Sequence, residues 1–237
     1  MQPTPPQDVG ENHWNFPEAH KWDPADDVVC IGGDLSPATI IDAYMHGMFP
    51  MYLDHPQSVL GWWSPVERGI LELNDLRVTR SMRQSARSMR TTFNQAFRDV
   101  MIACSNTHKE GNWITEEFIE AYCRLHDLGW AHSVEVWQDD QLVGGLYGIR
   151  VNGFFAGESM FHQRRDASKV ALMALVGAMQ MAGMTLLDTQ WWTEHLQSLG
   201  ATELPRRDYL KRLELALTPA GVTPSNIAKC LVESGAH

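Results

Sequence analysis

Apolar and polar positions alternate most regularly between Ala131 and Met160. This period-2 pattern predicts three β-strands, near His132–Trp137, Leu142–Arg150 and Gly153–Met160, joined by tight turns at Asp139-Asp140 and Val151-Asn152-Gly153. Helical spacing comes next over about Ala167–Ala182, closed by Gly183, and then a further strand, MTLLDTQ. A last amphipathic segment, TEHLQSLGA, ends at Gly200. Upstream the spacing is helical in RSMRQSARSMR, in Phe97–Cys104 and in Thr115–Leu128, where Thr115 can cap and Glu117 lies in the first turn. Nearer the start, SPATIIDAYMHGMF reads as a short helix with Ser36 as cap, Pro37 at its first position and Gly47 at its end.

Helices, an antiparallel meander, a helix and a strand make an α+β arrangement. The order β-β-β-α-β is that of the Gcn5-related acyltransferase fold, an analogy that does not fix a function. Residues 1–15 read as a loose arm, and Pro24, Gly32, Gly33, Pro37 and Pro50 punctuate the chain beyond it. A small N-terminal domain over residues 1–64 is expected, with an acyltransferase-like catalytic domain over residues 65–237.

With 237 residues, 44% hydrophobic and 20% charged, the chain has the composition of a globular protein with a real core. A formal net charge of −10 argues against nucleic-acid binding by the molecule as a whole, but local patches decide such partners. The four cysteines form neither a C-x-x-C pair nor a zinc spacing, and no metal or other cofactor is expected. MQPTPPQDVGENHWNF has no basic or apolar leader region, and no segment approaches the ~18 apolar residues of a membrane span. A cytoplasmic protein without membrane contact is the expectation, and a monomer.

Three constellations carry candidate chemistry. Glu158 sits in an apolar run, where a lone carboxylate is costly unless paired. By period 2 it shares a face with Met160, which suits a ligand with an ammonium and an apolar group; the alternative is an ion pair with Arg164, Arg165 or Lys169. Asp188 and Gln190 close the run TLLDTQ, and the carboxylate can orient the amide or else cap a helix starting near Thr193. Arg80, Arg83, Arg87 and Arg90, spaced 3, 4 and 3, fall on one helical face with no acid over residues 76–98. Such a face is either merely solvated or made for a polyanion. Trp113 and Tyr122 can offer a stacking surface to a base or serve as core aromatics. Trp62, Trp63, Trp191 and Trp192 read as packing residues. The segment RRDASK before the main helix has no glycine, which argues against a bound acyl-CoA, and no Walker-type loop is present.

The runs IGGDLSPATIIDAYMHGMFP, WWSP, GNWIT, AHSVEVW, LVGGLYG, FFAGESMF, ASK, LLDTQ and SLGA together resemble the leucyl/phenylalanyl-tRNA–protein transferase family, from about Ile31 to Tyr209. The resemblance implies transfer of Leu, Phe or Met from its tRNA to an N-terminal Arg or Lys of a protein, which marks the product for N-degron proteolysis. It implies that Glu158 binds the donor's amino group and Met160 lines the pocket for its side chain. It further implies that Asp188 and Gln190 are catalytic and that Trp113 and Tyr122 hold the terminal adenosine; with a tRNA donor, the face of Arg80, Arg83, Arg87 and Arg90 is expected to grip its phosphates. Met51 stands where the family usually has Trp, and Trp191-Trp192 where it has a smaller apolar residue. Against this stand a coenzyme-A-dependent N-acetyltransferase, a non-catalytic RNA-binding module and an adaptor for basic N-termini.

Overall fold

Ser36 accepts a hydrogen bond from the Thr39 amide and Pro37 opens the first turn, so helix α1 spans Pro37–Met45. Gly47, at φ 83°, turns the chain out of it. In this computed structural model, which describes residues 6–53, 59–107 and 113–218, α1 accompanies a three-stranded antiparallel sheet. Its strands are β1 (Val28–Ile31), β2 (Phe49–Tyr52) and β3 (Leu60–Trp63), in the order β1-β3-β2.

A second sheet carries the rest: β4 (Glu67–Leu71), β5 (Arg90–Phe93), β6 (Ala131–Gln138), β7 (Gln141–Val151), β8 (Phe154–His162), β9 (Leu186–Gln190) and β10 (Thr202–Pro205). Their order is β10-β4-β9-β8-β7-β6-β5. The β8–β9 pair is parallel and the other pairings are antiparallel. The crossover between β8 and β9 is helix α5 (Ala167–Met181). The remaining helices are α2 (Arg80–Ala86), α3 (Phe97–Thr107), α4 (Glu116–Asp127), α6 (Glu194–Ser198) and α7 (Arg206–Leu217).

Two apolar layers cover this sheet. On one face α1, α3, α4, α7 and the small sheet bury Tyr44, Trp62, Phe97, Phe118, Tyr122, Tyr147 and Tyr209. On the other, α5 and α2 bury Met82, Val134, Leu146, Leu172, Leu175 and Leu187. The α+β class and the predicted meander, main helix and last strand are present.

Several expectations need correction. The helix over RSMRQSARSMR stops at Ala86, so Arg87 is its C-cap and Arg90 begins β5. Strands β4, β5 and β10 and helix α7 have no counterpart in the pattern reading. Residues 1–5 lie outside the described residues, but the segment after them is no loose arm. The Gln7 amide donates to the Leu128 carbonyl at 2.8 Å, Trp130 Nε1 donates to the Gln7 carbonyl at 2.8 Å, and Asn12 Nδ2 donates to Asp42 at 2.7 Å.

A β-bulge overturns the shared face of Glu158 and Met160. The β7–β8 register runs Tyr147↔Ser159 and then Gly148↔Gly157, which leaves Glu158 as the extra residue. Met160, opposite Leu146, packs toward the α5 layer. Glu158 meets Tyr122 in the other layer. One extra residue thus separates two side chains that strict alternation would put together.

Gly148 makes the close approach beside this bulge possible. A Cβ there would lie 2.1 Å from the Ala156 carbonyl oxygen and 2.4 Å from the Phe155 ring. Gly148→Ala is therefore expected to lower stability by about 2 kcal/mol in a urea unfolding curve, as an overpacked core does.

Candidate active site

Strands β8 and β9 pair at only three positions, Phe154–Leu186, Phe155–Leu187 and Ala156–Asp188. Just past the last pair, Gln190 Nε2 donates to Glu158 Oε1 at 2.8 Å. Both side chains are buried, with 9% of Glu158 and 7% of Gln190 exposed. The acid and the amide singled out in the sequence are therefore brought into direct contact.

Asp188 does something different from what its sequence position suggests. Its carboxylate is fully buried and faces Arg68, whose Nε and Nη2 donate to its two oxygens at 2.9 and 2.6 Å. The Tyr209 hydroxyl donates to it at 2.9 Å, and the backbone amide of Gln190 at 2.8 Å. Asp188 thus holds the Gln190 backbone, not its side-chain amide. That backbone sits at φ 64°, a left-handed conformation that a non-glycine residue keeps only when its surroundings hold it. Nor does Asp188 cap α6, since the Thr193 side chain accepts from the Leu196 amide.

Arg68 escaped the sequence reading. It also donates to the Gly47 carbonyl at 3.1 Å and lies over the rings of Phe49 and Tyr209, 4.8 and 4.4 Å from their centroids. Arg68 heads the apolar run Gly69-Ile70-Leu71, so a lone charge is as costly there as at Glu158 and signals a buried partner. Tyrosine burial is a second signal. Of five tyrosines, Tyr44, Tyr122, Tyr147 and Tyr209 are wholly buried. Buried hydroxyls seek polar partners.

Three of those tyrosines surround Glu158. The Tyr44 and Tyr122 hydroxyls are 2.7 Å apart, and Tyr122 Oη is 3.5 Å from Glu158 Oε2. Burial pushes the Glu158 carboxyl up to about 7, against hydrogen bonds from Tyr44 and Gln190 that favour its ionised form. Asp188 pushes in the same direction as burial, and Arg68 opposes it. No ion pair with Arg164, Arg165 or Lys169 forms; Arg165 and Lys169 instead face Asp166 at 3.6 and 3.3 Å.

Tyr122 presents no face on which a base could stack, because it is fully buried between Phe118 and Tyr147. Trp113 is half-buried against Phe118, and Tyr52 packs edge-on against the same ring, with centroids 5.6 and 5.4 Å away. Met51, next to Tyr52 on β2, is half-buried. Trp62 is fully buried, while Trp191 packs edge-on against Phe49 and Trp63. Arg80, Arg83, Arg87 and Arg90 are all exposed. They do not share one helical face, since Arg90 sits on β5 with its guanidinium 5.6 Å from the Trp137 ring centre. Among the described residues no three His, Cys, Asp or Glu side chains converge as a metal site, and no helix is long and apolar enough to cross a membrane.

A meander, a main helix and a parallel strand, with an acid and an amide joined where the two parallel strands part, make up the acyltransferase-like architecture expected from the sequence. The family model for leucyl/phenylalanyl-tRNA protein transferase matches residues 70–214, and the model for that family's N-terminal domain matches residues 33–66. Proteins named leucyl/phenylalanyl-tRNA–protein transferase align over most of both chains. The one from Tolumonas auensis is 46% identical over 190 residues, 78% of this chain and 80% of its own. The one from Yersinia enterocolitica is 46% identical over 195 residues, 81% and 82% of the two chains. That of Salmonella typhimurium is 46% identical over 188 residues, 78% and 80%. The chain belongs to the leucyl/phenylalanyl-tRNA–protein transferase family. It is an enzyme, an aminoacyltransferase that moves Leu or Phe from tRNA onto the N-terminus of a protein.

Two outcomes are expected from this geometry. Removing either partner of the Arg68–Asp188 pair strands a buried charge, so Arg68→Ala or Asp188→Ala should each cost about 3–5 kcal/mol in urea unfolding. The apolar double variant Arg68→Met with Asp188→Leu should lose much less. For Glu158, the folded pKa of about 7 lies above the ordinary 4.5. The folded state then holds the proton more tightly than the unfolded chain. The associated stability, about 3 kcal/mol by the value of a pKa unit, is complete below pH ~4.5 and lost as pH rises through ~7. Glu158→Gln, which cannot ionise, should flatten the fall in stability over that window.

Proposed function

We propose that Glu158 grips the α-ammonium of a Leu, Phe or Met esterified to the 3′ end of tRNA, and that Gln190 presents the amine of a protein beginning with Arg or Lys. The observation that carries this reading is the 2.8 Å bond from Gln190 Nε2 to Glu158 Oε1. It uses the donor end of the amide and leaves Gln190 Oε1 as an acceptor for an incoming N–H. One side chain then links the group that holds the donor to the group that receives the acceptor.

The reaction breaks an ester C–O bond and makes an amide C–N bond. The acceptor amine loses a proton, and the departing ribose oxygen gains one. Asp188, enclosed by Arg68, Tyr209 and the Gln190 amide, acts as a positioning residue. The amine proton therefore passes to water or to a neighbouring ribose hydroxyl. Holding both amino groups on one rigid pair of strand ends supplies the rate mainly by proximity and orientation. No covalent intermediate with the enzyme is required.

Tyr122 belongs with Tyr44 as a support that orients Glu158. Trp113 and Met51, beside Tyr52, receive the terminal adenosine. Met160 and Leu146 on the α5 side of the bulge, with Leu172, Leu175 and Leu187 of the same layer, give the donor side chain an apolar wall. Shape at such a wall separates Leu from a β-branched competitor by only ~1–3 kcal/mol. The arginines of α2 bind tRNA phosphates with little base readout. The enzyme works in the cytoplasm as a monomer, and its products enter N-degron proteolysis.

Incubation with Leu-tRNA or Phe-tRNA and a peptide starting with Arg should add one residue to that peptide, as read by mass spectrometry. Gln190→Ala should lower kcat about 100-fold, the usual loss for one positioning hydrogen bond, with a smaller change in KM for the donor. An unmodified peptide after incubation with the intact protein would refute the assignment.

A further inference from the structure

We infer that the turn joining β8 to α5 is a second phosphate-binding element, which together with α2 holds the acceptor end of the donor tRNA. This rests on the transferase reading above. Arg164 and Arg165 stand exposed in that turn, with 82% of the Arg165 side chain open to solvent. His162 closes β8 just before them, and Lys169 lies in the first turn of α5 just after. His195 of α6 is close enough to feel the charge of both Lys169 and His162. Arg164, Arg165 and Lys169 therefore gather at one end of the sheet, with two imidazoles beside them, in a chain of net charge −10.

The one acid inside this turn is turned inward. Asp166 has 6% of its side chain exposed, and its carboxylate accepts from the Ser81 and Ser85 hydroxyls of α2 at 2.5 and 3.2 Å. It serves as a latch between the two basic elements, and it also faces Arg165 and Lys169 at 3.6 and 3.3 Å, offsetting part of their charge. Ser81 and Ser85 lie one turn apart on the side of α2 facing the latch, whereas Arg80 and Arg83 fall at other angles around the helix and are exposed. The turn itself is built, not slack. The Gln163 amide donates to the Val143 carbonyl at 2.7 Å, and the Ala167 amide to the Arg164 carbonyl at 3.1 Å. Its two guanidinium groups thus leave a fixed backbone, beside a helix fixed to the same carboxylate.

Position relative to the chemistry favours tRNA over any other polyanion. Arg164 is six residues beyond Glu158 along β8 and its turn, so the two lie at most about 20 Å apart. An ester held at Glu158 brings the phosphates preceding the terminal adenosine into that range. Guanidinium forks match phosphate oxygens. Such contacts set register without reading sequence, as an enzyme that accepts more than one tRNA requires.

The test compares a donor with phosphates and one without. Arg164→Ala with Arg165→Ala should raise KM for Leu-tRNA about 10-fold near 0.15 M salt and reduce the slope of log KM against log salt by ~1.4, the share of two phosphate contacts on a single strand. Transfer from leucyl-adenosine, which carries no phosphate, should be unchanged. Arg164→Lys with Arg165→Lys should recover most of the loss with tRNA. Unchanged KM and slope with Leu-tRNA would overturn the inference while leaving the transferase reading intact. Equal loss with both donors would also overturn it. Wild-type protein that transfers from neither donor would overturn the transferase reading, and this inference with it.

Discussion

The buried pair of Arg68 and Asp188 ties together the parts on which the site stands. Charges taken out of water are costly, and they persist here because all three guanidinium nitrogens donate and both carboxylate oxygens accept twice. Arg68 comes from β4 and Asp188 from β9, so the pair bridges two neighbouring strands. Through the Gly47 carbonyl it reaches the end of α1, through Tyr209 it reaches α7, and Phe49 covers the guanidinium from β2. The small sheet and the large one therefore meet around one ion pair. Asp188 has one acceptor position left over, and the Gln190 amide fills it. The strained turn at Gln190 is thus held by the same contacts that hold the two layers together.

Two buried carboxylates show how surroundings divide structural from chemical roles. Glu135, fully buried on β6, accepts from the Thr92 and Ser133 hydroxyls at 2.6 and 2.5 Å and from the Gln95 and Ala96 amides at 3.3 Å. Those amides precede α3, where a negative charge is favoured. Glu135 is saturated and has nothing left to offer a ligand. Glu158 has a 2.8 Å bond to an amide that is itself half-used, a hydrogen bond from Tyr44 and the Tyr122 hydroxyl at 3.5 Å. Its carboxyl rises to about 7 because burial is only partly compensated. A carboxylate left this way can still take a cationic partner.

The β-bulge gives β8 two kinds of side chain on opposite faces. Without it Glu158 and Met160 would point the same way, and one layer would have to be both polar and apolar. With it, the carboxylate joins the tyrosines and the thioether joins the leucines beside α5. A buried carboxylate and an apolar layer then lie on opposite sides of one strand, where β8 and β9 have ceased to pair.

Local periodicity by itself determined the meander, the main helix, the capped α1 and α4 and the strand ending in Asp188 and Gln190. Each of these is written in spacings of two or about 3.6 residues and in cap or turn residues nearby. Cost arguments about lone charges in apolar runs also singled out Glu158 and Asp188 correctly as residues needing partners. Tertiary structure alone decided who those partners are. Arg68 lies 120 residues from Asp188, and Tyr122 lies 36 from Glu158, separations over which no periodicity carries information. The bulge, the early end of α2 before Arg90, and the short strands at the sheet edge escaped for the same reason. They are set by hydrogen-bond pairing across the sheet and by packing between layers, which appear only when distant segments of the chain are side by side.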